Sequence, residues 1–376
     1  MCIFRASVVL AGLCAIALAA TAANRKLEAA RTDEPNLEAK RSERPQPFRA
    51  ILVHPDRISL ELLKTWKHKG INAIVATLDR NASAESIKKA ASFAQAESLK
   101  WYVWIETARD PETAQAHPDW TASVGKHHDD WKRLFKNPPR AAADEEIKAW
   151  PWVPIGYAPA YEAHLDRVRK LLAGIDDSWT GVFLNDLQEG PTSCGCGNDQ
   201  CRWAIDYGNR PTAPKTPGEG HAARFVGEIA KAFPGKEVIP VWVTECEFAD
   251  LRESKPSTGL CGDVGCATGT CWKAYSTSWN ALLDVAHGRI AVGIWSQAFH
   301  RDRKTWPKQA IELFKNPLRG GRPLEPDRAL AVLDASNAND AEIDAIVETA
   351  DAAQGGRVIA LDRIEQGWEP RAVKVK

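Results

Sequence analysis

From Pro47 onward, short apolar runs alternate with segments whose apolar residues recur at helical spacing. Phe48 to His54 is the first apolar run and predicts a strand. Ser59 then opens LELLKTWKHKG, with Leu60, Leu63 and Trp66 on one helical face and Gly70 as the stop. Ile71 to Leu78 predicts the second strand, and Ser83 to Lys100 a helix with Ser83 as its N-cap. Trp101 to Ile105 is the third strand, ending in Glu106. After the long stretch Thr107 to Pro159, the pattern resumes with a helix over Tyr161 to Ile175 and a fourth strand, Gly181 to Leu184. Four more strands follow at Glu237–Thr244, Ile290–Trp295, Ala329–Leu333 and Val358–Leu361. Helical segments separate them at Ala222–Phe233, Ser278–Ala286, Trp306–Phe314 and Asp340–Ala353, the last with Asn339 as a candidate cap.

Nearly every strand is a continuous apolar run, the pattern of a sheet covered on both faces. Eight such strands alternating with helices predict an α/β fold, a single-domain (β/α)8 barrel. A doubly wound open sheet is the rival, but no Gly-rich phosphate loop follows the first strand. The barrel is expected to carry a long insertion after strand three, cysteine-rich loops after strands four and five, and a short or absent last helix.

Composition changes the picture at the start of the chain. Of the 376 residues, the first 23 read as an export signal, with Arg5, an apolar core from Val8 to Ala20 and a small-x-small site at Ala20-Thr21-Ala22. The charged, Ala/Glu/Arg-rich stretch to Pro47 reads as a disordered linker, which leaves residues 48–376 for the barrel. An exported, periplasmic or extracellular protein without stable membrane insertion is therefore expected. The net charge is zero, and no basic run suggests a nucleic-acid partner. Once the signal leaves, seven cysteines remain, all between Cys194 and Cys271. Disulfides are the expectation in an exported protein; a structural zinc site is the alternative. No other cofactor is expected.

In such barrels the site lies at the C-terminal strand ends. Those ends carry His54, Asp79, Glu106, Asn185 with Asp186, Glu245 with Glu247, Gln297, Asp334 and Asp362. Trp104, Trp242 and Trp295 lie on the same strands, and Trp120, Trp131, Trp150 and Trp152 on the long third loop. Carboxylates with aromatic rings suit sugars, because rings stack on pyranose faces and carboxylates accept hydroxyl hydrogen bonds. Two carboxylates held in different protonation states can also cleave a glycosidic bond. Asp186 is the leading catalytic candidate, with Glu245, Asp334 or Glu106 as its partner. His54, Asn185, Trp104, Trp242, Trp295, Gln297 and Asp362 are candidate substrate-binding residues. The run His127-His128-Asp129-Asp130 reads as a solvated loop, and no G-x-S-x-G elbow supports a serine triad.

The segments FRAILVHP, ETARDPETAQAHPDW (Glu106 to Trp120) and GVFLNDLQ, followed by clustered cysteines, resemble a group of bacterial glycoside-hydrolase-like barrels. Residues 48 to 205 carry the resemblance; beyond them it is one of architecture. It implies that Asp186 takes the acidic position at the end of strand four. The cysteine spacing departs from the group, with four residues before the last cysteine of C-x-C-x4-C. Retaining barrels carry an Asn-Glu pair on strand four and a Glu on strand seven, where this chain has Asn185-Asp186 and Asp334. The function expected is that of a secreted glycoside hydrolase. The alternatives are a non-catalytic carbohydrate-binding barrel and a metal-dependent hydrolase using the acidic ring with His54.

Overall fold

The computed structural model describes residues 47–79, 82–121, 140–187, 220–243, 280–294, 322–325, 327–339, 341–344, 356–362, 364 and 369–374. The expected export signal, nearly all of the expected linker, all nine cysteines and the helix expected over 306–314 lie outside them.

Eight parallel strands close into a barrel. They are β1 (Arg49–Val53), β2 (Ala73–Thr77), β3 (Lys100–Glu106), β5 (Gly181–Asn185), β6 (Glu237–Val243), β7 (Ile290–Ile294), β8 (Ala329–Asp334) and β9 (Gly356–Ala360). β9 pairs back onto β1 with Ile359 beside Ile51, which closes the ring. Each expected strand is therefore present. Helices α1 (Leu60–His68), α2 (Ala84–Ala96), α4 (Ala158–Ala173) and α5 (His221–Ala232) follow β1, β2, the insertion and β5 in sequence. Their starts follow from local chemistry. Ser59 and Ser83 accept the N–H groups of Leu62 and Ser86, and Asn339 and Glu342 cap each other's backbone N–H at 3.0 Å.

Strand alternation separates two cores. Ile51, Ile74, Val103, Val182 and Ile359 belong to the core shared with the helices. Leu52, Val75, Tyr102, Trp104, Phe183, Val332 and Val358 fill the barrel interior. The interior is an aromatic plug: Phe48 meets Tyr102 edge-on at 5.3 Å, and Trp104 stacks on Phe183 at 5.8 Å. Gly181 is required here, because a Cβ would lie 2.9 Å from the Tyr102 ring and 2.5 Å from the Glu237 carbonyl oxygen.

Two features of the insertion and the C-terminus differ from expectation. Residues 107–159 contain a short helix, α3 (Pro111–Ala116), and a strand, β4 (Glu145–Trp150). The chain end, where only a short or absent helix was expected, forms β10 (Glu369–Lys374), antiparallel to β4 with Ala372 beside Ile147. The pair makes a separate two-stranded sheet outside the barrel ring.

The N-terminal end of the barrel is sealed by charge. Arg289 donates to the Glu237 carboxylate through Nε at 2.8 Å and through Nη2, to Tyr102 Oη at 2.7 Å, and lies 4.0 Å from the Phe48 ring centroid. Burial pushes Glu237 up, but the Arg289 hydrogen bonds and charge outweigh it and hold the carboxyl below its usual range. A carboxyl depressed in the folded state stabilises the fold above its unfolded pKa, and that stability is lost as pH falls through the folded value. Glu237→Gln is expected to cost about 3 kcal/mol at neutral pH. The deficit should begin to shrink below about pH 4, where the unfolded-state carboxylate takes up a proton, and should be gone only once pH falls through the depressed native value. Urea unfolding of both proteins across that range checks it.

Candidate functional site

The inward alternation that builds the plug continues to the C-terminal strand ends, and there the residues turn polar. β3 runs inward as Tyr102, Trp104, Glu106; β5 as Gly181, Phe183, Asn185; β8 as Leu330, Val332, Asp334. Past their ends, β1 adds His54 after one residue, and β2 and β9 add Asp79 and Asp362 after two, each continuing the inward parity of its strand. A polar mouth thus sits on an apolar, water-excluding floor.

Glu106 is its centre. The Trp104 indole N–H donates to Oε1 at 2.7 Å, and the Asn185 amide donates to Oε2 at 2.8 Å. Asp186 also hydrogen-bonds the Glu106 carboxyl. Burial raises the Glu106 pKa; the Trp104, Asn185 and Asp186 hydrogen bonds and the Arg109 charge pull it back without cancelling the rise. Two carboxyls in hydrogen-bond contact cannot both ionise easily, so the pair titrates as a unit. Asp186 has a left-handed backbone, φ 53°, and is 4% exposed. That conformation costs roughly 1–3 kcal/mol in a non-glycine residue. It is held by the Ala108 N–H, which donates to the Asp186 carbonyl at 3.1 Å, and Thr107 N–H does the same to Asn185 at 3.0 Å. Asn185 is 1% exposed, and its Oδ1 has no hydrogen-bond partner among the described residues.

The other strand-end residues are partly committed to structure. Asp362 accepts from the His54 backbone N–H and from Arg57, tying β9 to β1. Asp334 Oδ1 accepts from the Ser336 N–H at 3.0 Å and hydroxyl at 2.7 Å. His54 Nδ1 accepts from the Asp56 N–H at 3.3 Å, which leaves Nε2 3.7 Å from the Asp79 carboxylate. Trp104 differs from the sugar-stacking surface expected of it. It is 1% exposed, with Phe183 stacked against it, because inward alternation places it one step beneath Glu106. Trp152 is also buried, and Trp120 is stacked by His117 at 3.8 Å. Glu245, Glu247, Trp295, Gln297, Trp131 and the His127–Asp130 run lie outside the described residues, as does the Trp242 side chain. No cluster of three His, Cys, Asp or Glu that could hold a metal occurs among the described residues.

Sequence reasoning missed a second group behind Glu106, made of the buried Asp110 and His164 with the half-buried Thr113 and Arg167. The legible signal was Asp110-Pro111, a helix cap followed by proline at the first helical position.

No protein-family model matches the chain, and no curated protein matches it by sequence. Solved structures similar to it include the GH36 α-galactosidase AgaA of Geobacillus stearothermophilus, in a variant bound to raffinose. That match has 12% identity and a TM-score of 0.44, and covers 86% of this chain and 40% of the other. A class V chitinase from Pseudomonas fluorescens Pf-5 has 11% identity and a TM-score of 0.39, covering 78% and 71%. The carboxyl transferase domain of Rhizobium etli pyruvate carboxylase has 13% identity and the same TM-score, covering 85% and 40%. The chain spans about 40% of the length of the α-galactosidase. Unrelated chemistries share barrels, so function rests on the mouth. Among the described residues, no helix is long and apolar enough to cross a membrane.

If Trp104 and Asn185 stabilise the charged form of Glu106, removing one donor should push the carboxyl further up. Trp104→Phe is expected to raise the Glu106 titration by about one pH unit, on the scale of a lost hydrogen bond to a charged group. Carboxyl 13C NMR reads it directly, and an unchanged or lowered titration contradicts the assignment.

Proposed function

We propose that this chain is a carbohydrate-acting hydrolase whose proton donor is the Glu106–Asp186 pair. The observation that carries the reading is the contact between these two carboxyls inside a polar barrel mouth. Glu106 already accepts two N–H groups, which suits the ionised form; Asp186 then holds the proton. A glycosidic oxygen arriving at the mouth takes the place of Glu106 as acceptor of that proton while its bond to the anomeric carbon breaks and the leaving sugar departs as an alcohol, and the Arg109 charge near Glu106 offsets part of the negative charge the two carboxylates then carry. Asn185 fits the same role for substrate: its N–H is spent on Glu106, and its Oδ1 remains to accept a sugar hydroxyl.

Carboxyls in hydrogen-bond contact are closer than the roughly 5–9.5 Å that separates acid from nucleophile or base in glycosidases. Glu106 therefore works with Asp186 as one unit, and the opposing carboxylate comes from elsewhere on the rim. Among the described residues Asp334 fits best. Its strand lies three places around the ring from β5, and it points inward at the same end. Export to the periplasm or cell exterior and disulfides in the loops after β5 and β6 belong to the same proposal.

A carbohydrate-binding barrel without turnover is the second reading, favoured by the tight, nearly solvent-free setting of Asp186. A panel of aryl glycosides and polysaccharides separates the two. In the hydrolase, Asp186→Asn and Asp334→Asn each lose about 100-fold or more in kcat/KM on the substrate found. Unchanged turnover in Asp186→Asn overturns the proton-donor assignment. Glycan affinity without turnover in the unmodified protein favours the binding barrel.

A further inference from the structure

The end of β3 is held by a charge that nothing in its own strand supplies. The last bond described between β2 and β3 runs from the Leu78 N–H to the Trp104 carbonyl. Beyond it, the Glu106 and Thr107 carbonyls receive their donors from a helix: Arg167, on α4, donates through Nη2 to Glu106 O at 2.7 Å and to Thr107 O at 2.9 Å. The same guanidinium places Nε 3.0 Å from Asp110 Oδ2. Asp110 is itself immobilised as the cap of α3, accepting from Thr113 Oγ1 at 2.6 Å and from the Glu112 and Thr113 N–H groups at 3.2 Å. Its own N–H donates to the Pro151 carbonyl, which fastens the clamp to the insertion.

We propose that Asp110 and Arg167 are positioning residues that set Glu106 against Asp186. This rests on the reading of that pair as the reactive group. The planar fork of arginine donates to two carbonyls through Nη2 while its charge faces one carboxylate, a geometry a lysine ammonium does not reproduce. Because Thr107 and Ala108 donate to Asn185 and Asp186, fixing the β3 end also fixes the β5 end. The charged and titratable groups facing Arg167 are Asp110 and Glu112 from the α3 turn, Glu106 from β3, and His164 one turn earlier on α4. His164 is buried and donates from Nε2 to the Val153 carbonyl at 2.8 Å. Burial first, then Arg167, pushes its pKa down to about 4, so it stays neutral and leaves the Asp110–Arg167 charge balance intact.

The test is the titration of the Glu106–Asp186 pair by carboxyl 13C NMR in the free, full-length protein, which needs no substrate. It is run on Arg167→Met, Arg167→Lys and Asp110→Asn, with Arg169→Met as a control. Arg169 lies on the same helix but pairs with Glu228 at 3.1 Å. Arg167→Met is expected to shift the pair's titration upward by about one pH unit or more. Arg167→Lys should restore part of that shift, and Arg169→Met should leave the wild-type curve. A merely structural role would lower thermal stability in Arg167→Met and Asp110→Asn while leaving the pair's titration at the wild-type position, and that result overturns the proposal. If Arg167→Met does not fold, Arg167→Lys decides by the same readout: a wild-type curve overturns the proposal, and a displaced one supports it. Loss of turnover with an unmoved titration would leave the hydrolase reading standing and remove the positioning role.

Discussion

The pairing of β3 with β5 is the constraint on which the rest of the barrel depends. Its register sets Tyr102 beside Gly181, Trp104 beside Phe183 and Glu106 beside Asn185. Each pair does a different job: a glycine makes room for a phenol, two aromatic rings fill the centre, and an amide meets a carboxyl. Because the side-chain period of a strand is two, a slip of one residue would turn the inward set of the slipped strand to the opposite face. The insertion of 107–157 between these two strands makes the pairing long-range, and the insertion contributes the α3 cap and the Pro151 carbonyl that brace it.

Both ends of the barrel hold a buried carboxyl, and the surroundings decide what each becomes. At the N-terminal end the Arg289 hydrogen bonds and charge outweigh burial and hold Glu237 ionised; at the C-terminal end burial outweighs the hydrogen bonds from Trp104, Asn185 and Asp186, and Glu106 is pushed up. The first arrangement stabilises the fold. In the proposed hydrolase, the second holds a proton where a left-handed Asp186 is kept in place by its neighbours. In both, burial raises the carboxyl; the Arg289 ion pair overcomes it at Glu237, and the hydrogen bonds and Arg109 charge do not at Glu106.

Much of this was legible in the sequence because the barrel strands are continuous apolar runs of the length a closed sheet needs. Each run ends in a polar residue, and that gave the rim. What local pattern could not supply was contact. Glu106 and Asp186 meet through a pairing across some 80 positions, and nothing near either residue announces the other. Trp104 was read as an exposed ring because it lies near a strand end; counting inward parity from Glu106 would have placed it in the core. β4 and β10 escaped notice because EEIKAW and EPRAVK are mixed polar segments whose partners are each other, more than 200 residues apart. Arg167 looked like one more charge on an amphipathic helix, and only the fold brings it to the end of β3.

The central claim is that Glu106 and Asp186 hold one proton between them. It is tested most directly by isotope-edited infrared spectroscopy of the unliganded protein near neutral pH. One buried protonated carboxyl signal is expected in the wild type. Substituting either member alone, as Glu106→Gln or Asp186→Asn, should remove that signal, because a lone carboxyl facing an amide no longer shares a charge with its neighbour. A wild-type spectrum in which both groups are ionised at neutral pH would contradict the account.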